Sequence, residues 1–266
     1  MRRALRLRAS VPRLPAGPLP RPRRASRPEA PDTPRTVRRV SWLTRDGLAA
    51  SLAVGVAVTW GLGWPGLALL AAFFLSGSLL TRWASGTGGR RNARQVLANG
   101  GIAAAAALAG SWPAAAGAIA AATADTWATE IGSFSPVAPR LVTTWERVTR
   151  GASGGITALG TAGGVAGAVA IAALAFAVEP RGVAPGSAVL VGAGFAGMAA
   201  DSLLGATLQG LYECPACGAR SERRDTVCHA PVRLIRGRRW LDNDGVNLTA
   251  TLVGAAVAAL GARFSS

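Results

Sequence analysis

A-A-T-A-D-T-W-A-T-E-I-G, residues 121–132, puts Asp125 and Glu130 at the end of a segment that is otherwise mostly Ala, Gly and Ile. Two carboxylates in so apolar a setting are costly unless they meet a cation, a proton donor or water. In a membrane helix an ionisable residue marks a functional site by default. One acid alone could equally sit where a helix ends in headgroup water, so the surrounding chain has to decide between the two.

The surroundings read as membrane. Half of the 266 residues are apolar, 16% are charged, and the apolar residues fall in blocks of membrane-helix length rather than core-helix length. From Asp46 onward there are seven such spans, roughly 46–62, 65–81, 95–111, 113–131, 155–178, 187–211 and 245–262. Pro65 and Pro113 open the second and fourth of these at the first turn, where a missing N–H does no harm. The abundance of Ala and Gly suits close packing of helices in lipid. The expected fold is an all-α integral membrane protein of about seven transmembrane helices.

Net charge is +16, and all 29 basic residues are Arg. A basic balance raises nucleic acid as a partner. Here 13 of the Arg fall in residues 1–45 and most of the others in short loops, which a bilayer partner explains without nucleic acid. With the N-terminus cytoplasmic, stretches 1–45, 82–94, 132–153 and 212–242 hold 27 of the 29, leaving only Arg181 and Arg263 on the far side. The positive-inside rule therefore expects a multi-pass protein of the cell membrane with a cytoplasmic N-terminus. Residues 1–45, rich in Arg and Pro, read as a disordered cytoplasmic tail. Residues 46–262 form the membrane domain, with a cytoplasmic Cys-containing loop at 212–242.

On that map the polar residues share one leaflet. Asp46 opens the first span; Asn92, Gln95 and Asn99 open the third; Asp125 and Glu130 close the fourth. Asp201 and Gln209 lie late in the sixth, and Asn243, Asp244 and Asn247 open the seventh. This is the pattern of a site open to the cytoplasm. An internal repeat runs through it: A-N-G-G-I (98–102) resembles A-S-G-G-I (152–156), and A-D-T (124–126) resembles A-D-S (200–202). Spans three and four would match five and six as a parallel two-helix repeat, with Asp125 and Asp201 in equivalent places. Transporters more often use inverted repeats around a midplane site.

Carboxylates and Asn side chains without a His or Cys among the spans suit a hard cation. Mg²⁺ takes one or two protein carboxylates and completes its shell with water and phosphate. Arg90, Arg91, Arg94, Arg147 and Arg150 flank the same side, and guanidinium forks match phosphate oxygens. Gly151-Ala152-Ser153-Gly154-Gly155 at the start of span five could offer backbone N–H groups to phosphate. There is no G-x-x-x-x-G-K-[ST], so any nucleotide is held without a P-loop. Thr126, Thr129 and Ser202 could bind ligand or bond their own backbone. Cys214, Cys217, Cys228 and His229 form a candidate Cys₃His structural zinc set, though adjacent Cys and His on one metal is unusual.

Five ordered motifs, R-N-A-R-Q-V-L-A-N-G-G (91–101), A-D-T-W-A-T-E-I-G (124–132), S-G-G-I-T-A-L-G-T (153–161), D-S-L-L-G-A-T-L-Q (201–209) and W-L-D-N-D-G-V-N (240–247), carry a family resemblance. Over about residues 46–262 the chain resembles the integral membrane family called domain of unknown function 92, or the transmembrane protein 19 family. That family includes the plant phytyl-phosphate kinase and is distantly similar to CTP-using phytol and dolichol kinases. The resemblance implies Mg²⁺-assisted phosphate transfer from CTP or another nucleoside triphosphate to a prenyl monophosphate. On the matching positions Asp125, Glu130, Asp201 and Asp244 would hold Mg²⁺ and nucleotide. Asn92, Asn99, Gln209, Asn243 and Asn247 would orient phosphates, and Arg91 and Arg94 would neutralise them. Two other readings stay open: a transporter or flippase for a lipid-linked or small anionic solute, and a scaffold in which the acids only cap helices.

Overall fold

Helix breaking at one glycine decides how the chain enters its bundle. The computed structural model describes residues 42–85, 90–179 and 186–264; most of the expected tail, and Arg181, lie outside them. Helix α1, Arg45–Ser85, is interrupted at Gly63, whose φ of 67° and ψ of −161° suit only glycine, and Pro65 follows two residues later. The two arms fold back on each other. The rings of Trp42 and Phe74 lie 5.9 Å apart, whereas a straight helix would separate them by about 48 Å at ~1.5 Å per residue. The expected spans 46–62 and 65–81 are thus the two arms of one broken element.

Five further helices follow: α2 Ala93–Leu108, α3 Trp112–Gly132, α4 Ala158–Val178, α5 Ser187–Thr207 and α6 Asn243–Ala262. Helix α3 is the central rod and packs against all the others. Its residues Ala115 to Ala124 are buried without exception. Nearly all are Ala or Gly, so neighbouring backbones come very close. Gly117 abuts Gly254 and Ala258 of α6, and Gly160 and Gly164 of α4 abut the carbonyls of Ala128 and Ala124. Stability here comes from dispersion between closely approaching backbones rather than from large side chains.

Among the described residues four elements, α1, α4, α5 and α6, are long and apolar enough to cross a membrane. Helix α2, at 16 residues, spans about 24 Å. Helix α3 is walled in by its neighbours and has little need of a lipid-facing surface. The protein is a helical integral membrane protein, and the exposed Leu79, Phe176, Phe195, Leu252 and Leu260 are what an acyl-chain solvent would cover.

Helices α3 and α5 lie side by side and parallel, with Ala120 against Gly194 and Ala121 against Gly197. The A-D-T and A-D-S segments therefore reach the same level. At that end of the bundle the helix starts are capped by side chains. Asn92 and Gln95 form a reciprocal capping box, Thr157 accepts from Gly160 N, and Asp242 accepts from Gly245 N at 3.1 Å. Each cap is worth about 1 kcal/mol.

The structure departs from the sequence expectation at the ends of several spans and inside the Cys-containing loop. Span five is expected from residue 155, but Gly155–Ile156 is strand β2, paired antiparallel with β1, Arg140–Leu141, and the helix begins at Ala158 under the Thr157 cap. Helix α5 stops at Thr207 rather than 211, because the chain then enters β3, Leu211–Glu213. The loop 212–242 carries a three-stranded sheet in the order β4-β3-β5, with β4 at Arg220–Ser221 and β5 at Arg233–Arg236. Hydrophobic periodicity is silent about strands this short.

Candidate functional site

A cavity of about 1510 Å³ opens at the end of the bundle where these caps and short strands gather. It has two limbs. One is polar and lined by Arg90, Arg91, Asp125, Glu130, Asp201 and Glu222, with Arg150 and Arg223 also on its wall. The other is mostly apolar and is lined by residues of both arms of α1, among them Leu48, Leu52, Val56, Trp60, Leu67 and Phe74. From Leu48 to Trp60 the helical rise is about 18 Å. Asn92, Asn99, Asn243 and Asn247 line the cavity, as do Thr126, Thr129, Ser202 and the Ser153-Gly154-Gly155 loop.

Asp125 and Asp201 come from the parallel pair α3 and α5 and face one another closely enough to interact electrostatically. Asp201 in turn faces Glu222. Asp201 Oδ2 is buried and meets no hydrogen-bond donor. A buried carboxylate oxygen without a donor is expensive, and three acids pointed together are more so. Folding gains nothing from this arrangement, so a cationic ligand is the natural counterpart.

The remaining acids of the site have partners. The Thr81 hydroxyl stands 2.6 Å from Glu130 Oε1, and the half-buried Arg91 guanidinium also faces Glu130 while lying 6.0 Å over the Phe74 ring. Arg91 thus sits where the two limbs meet. Arg90 donates through Nε and Nη2 to Leu43 O. Arg150 donates to the carbonyls of Ser133 and Ser135. Tethered in this way, both guanidinium groups hold fixed positions with N–H groups to spare.

Glu222 is the residue that sequence reasoning missed. Its Oε1 accepts from Ser153 N at 2.9 Å and its Oε2 from Gln209 Nε2 at 2.9 Å, which clips the 220s loop onto the cavity wall. Gln209, expected to orient phosphate, is 2% exposed and given over to Glu222; it does not line the cavity. The Ser153 amide expected to meet phosphate is bonded to the same acid, and Gly155 N is bonded to Ala152 O. Arg94 and Asp244 lie outside the cavity as well. Arg94, itself 71% exposed, pairs with Asp242 at 2.7 Å and with the half-buried Asp244 at 3.6 Å; so exposed a guanidinium contributes little through such pairs. Asn92 and Gln95 line the cavity, but their capping box already accounts for much of their polarity.

A second cluster stands apart from the cavity. The ligand atoms of Cys214, Cys217, Cys228 and His229 all lie within 4.8 Å of one another. Backbone N–H groups of His229, Ala216 and Cys217 are turned on Cys214 Sγ and bring its thiol down to about 6.

Comparison with known proteins adds sequence relatives. The family described as Integral membrane protein DUF92 matches residues 35–255. The chain is 31% identical over 239 residues to the uncharacterized membrane protein MJ0933 of Methanocaldococcus jannaschii, an alignment covering 84% of this chain and 87% of that one. It is 32% identical over 267 aligned positions to protein PGR of Arabidopsis thaliana, covering 82% and 88%. No solved structure matches.

Proposed function

The chain belongs to the DUF92 family of integral membrane proteins, and from that premise and the two-limbed cavity we propose that it is a kinase of an isoprenoid monophosphate. The donor is CTP or another nucleoside triphosphate, and the cavity opens to the cytoplasm. The observation that carries the reading is the pairing of Asp125 with the donorless Asp201 in a chamber lined by four guanidinium groups and by the apolar side chains of α1. A molecule with an anionic head and a long apolar tail matches both limbs.

In the proposed reaction an oxygen of the acceptor monophosphate attacks the terminal phosphorus of the nucleotide. The bond from that phosphorus to the bridging oxygen breaks, and the nucleoside diphosphate leaves. The attacking oxygen is already anionic, so no general base is required; His229, the chain's one histidine, is not in the cavity wall. Positioning and charge neutralisation are what phosphoryl transfer needs. Arg91, Arg90, Arg150 and Arg223 meet the phosphates, and Asn99, Asn243 and Asn247 orient them. The residues fit a resident Mg²⁺: Asp125 and Asp201 would hold it, while Glu130, bonded by Thr81, lies elsewhere on the cavity wall. When bound, Mg²⁺ supplies the charge neutralisation that two facing phosphates require. A transporter would need charged or amide groups along the second limb as well, and there Leu, Val, Phe and Trp are joined only by the hydroxyls of Ser51 and Thr59 among the described lining residues.

The test is phosphate transfer by purified protein in detergent, with phytyl or geranylgeranyl monophosphate, Mg²⁺ and each nucleoside triphosphate in turn. A prenyl diphosphate is the expected product; folded protein that makes none with any donor sinks the reading. The apolar limb gives a sharper check at Gly55. Gly55 lines the limb, and a Cβ there meets nothing within 4 Å, so Gly55→Phe can start its side chain without a backbone clash and place a ring in the groove. We expect kcat/KM for a geranylgeranyl acceptor to fall about tenfold or more, as for other occluded apolar pockets, with a five-carbon prenyl acceptor little affected. Equal loss for both would detach the groove from acceptor binding.

A further inference from the structure

We propose that Cys214, Cys217, Cys228 and His229 bind one structural zinc ion, and that this ion holds the 211–238 segment so that Glu222 closes the wall of the polar cavity. The two halves of the set arrive on opposite turns of the small sheet. Cys214 and Cys217 flank a tight turn between β3 and β4, in which Cys214 N donates to Ala219 O at 2.8 Å and Gly218 N to Cys214 O at 2.9 Å. Cys228 and His229 occupy the tip of a second turn, closed by the antiparallel bridge of Val227 and Pro231. That turn makes neighbouring residues usable as ligands. Its reversal swings both side chains to one side, and Cys228 Sγ lies 3.0 Å from His229 Nδ1.

Cys217 and Cys228 sulfurs are 3.5 Å apart, and no disulfide joins them. Four ligands at about 2.0–2.3 Å around a tetrahedral ion stand about 3.5–3.8 Å from one another, so the observed spread asks for only small adjustments. Three sulfurs and one imidazole nitrogen favour zinc over hard cations, and a complete set of four leaves no open position for catalysis.

The second observation is what the segment lacks. Among residues 211–238 only Tyr212 and Cys214 are buried, and Val227 is 72% exposed. A sheet of eight paired residues without a core of its own needs a staple, and a metal ion is the staple its side chains can hold. The stapled segment carries Glu222, one residue beyond β4, to Ser153 N and Gln209, and Arg223 to the cavity wall.

The experiment reads metal directly, so its failure is separate from any failure of the kinase reading. Full-length protein is purified in detergent with its thiols reduced, and its metal content is measured by mass spectrometry. One zinc per chain is expected. Exchange for Co²⁺ should give the thiolate charge-transfer and visible bands of a tetrahedral sulfur-rich site. Cys217→Ser and Cys228→Ser should fall to a small fraction of one zinc, whereas His229→Cys should retain it with a shifted cobalt spectrum. Chelation should speed amide hydrogen exchange at least tenfold across 211–238 and at Ser153, with α3 unchanged. Folded, reduced protein without stoichiometric zinc, a native Cys217–Cys228 disulfide, or serine variants that keep the metal would each overturn the proposal.

Discussion

Asp125→Asn and Asp201→Asn should each cut prenyl diphosphate formation by about 10²- to 10³-fold, the scale on which one preorganised charge-stabilising group acts, while leaving the folded protein as stable as before or more so. The pairing of those two outcomes matters. Asp125 and Asp201 face each other across the parallel helices α3 and α5, and Asp201 also faces Glu222. Without a cation these acids repel one another, and Asp201 Oδ2 has no donor to offset the cost. Asparagine keeps the shape, removes one charge and adds a donor. A residue kept for folding would lose stability on such a change; a residue kept for a ligand loses only the ligand. Initial rates with saturating nucleotide and thermal unfolding in detergent, with and without Mg²⁺, check both halves. Wild-type protein should be stabilised by Mg²⁺ with nucleotide, and the variants much less. Two variants with near-wild-type rates would return these acids to the role of helix-end ornaments.

Glu130→Gln should be milder. Thr81 and Arg91 both address that carboxylate, and Gln retains the contact with Thr81. Its removal loosens the Arg91 guanidinium at the junction of the limbs, on a scale of about 10- to 100-fold for a supporting group. A KM rise for the acceptor, larger than any fall in kcat, is the expected signature.

The bundle was largely legible from hydropathy, because lipid demands long apolar runs and the break at Gly63 is written as a glycine followed by a proline. The pairing of Asp125 with Asp201 was legible too, since two A-D-[TS] segments late in parallel spans must reach one level. What stayed hidden depends on non-local pairing. Glu222 lies in S-E-R-R-D, residues 221–225, a run that looks like any solvated loop; only the pairing of β4 with β3 brings it to Ser153 and Gln209. Gln209 and Asp244 were misleading for a related reason. Their places in the motifs are right for the cavity, but the chain has left its helix by residue 208, and Arg94 draws Asp244 outward. A polar residue near a helix start also has two explanations, and the capping box of Asn92 with Gln95 shows how much of the polarity at this end serves the helices themselves.

The same loop geometry makes Gly154 the most sensitive backbone position of the candidate site. Its φ is 79°, a region that costs a residue with a Cβ about 1–2 kcal/mol. Space is the larger obstacle. A Cβ there would lie 2.5 Å from both the N and the Cβ of Ala206 on α5, and helix backbone cannot swing aside as a side chain does. Forcing an extra carbon into such a contact costs about 1–3 kcal/mol. Gly154→Ala should therefore lower the unfolding temperature in detergent by about 5–10 °C and nearly abolish transfer, because the only relief is to lift the loop off α5. Lifting it pulls Ser153 N from Glu222 and opens the wall one turn beyond Asp201. Gly151 supplies the control: its φ is 81°, yet open space surrounds a side chain there. Gly151→Ala meets the backbone cost alone and should keep most of its activity. If the two alanine variants behave alike, left-handed backbone strain rather than the close approach of loop to helix limits the site, and the contact between Gly154 and Ala206 is not what seats the Ser153 loop.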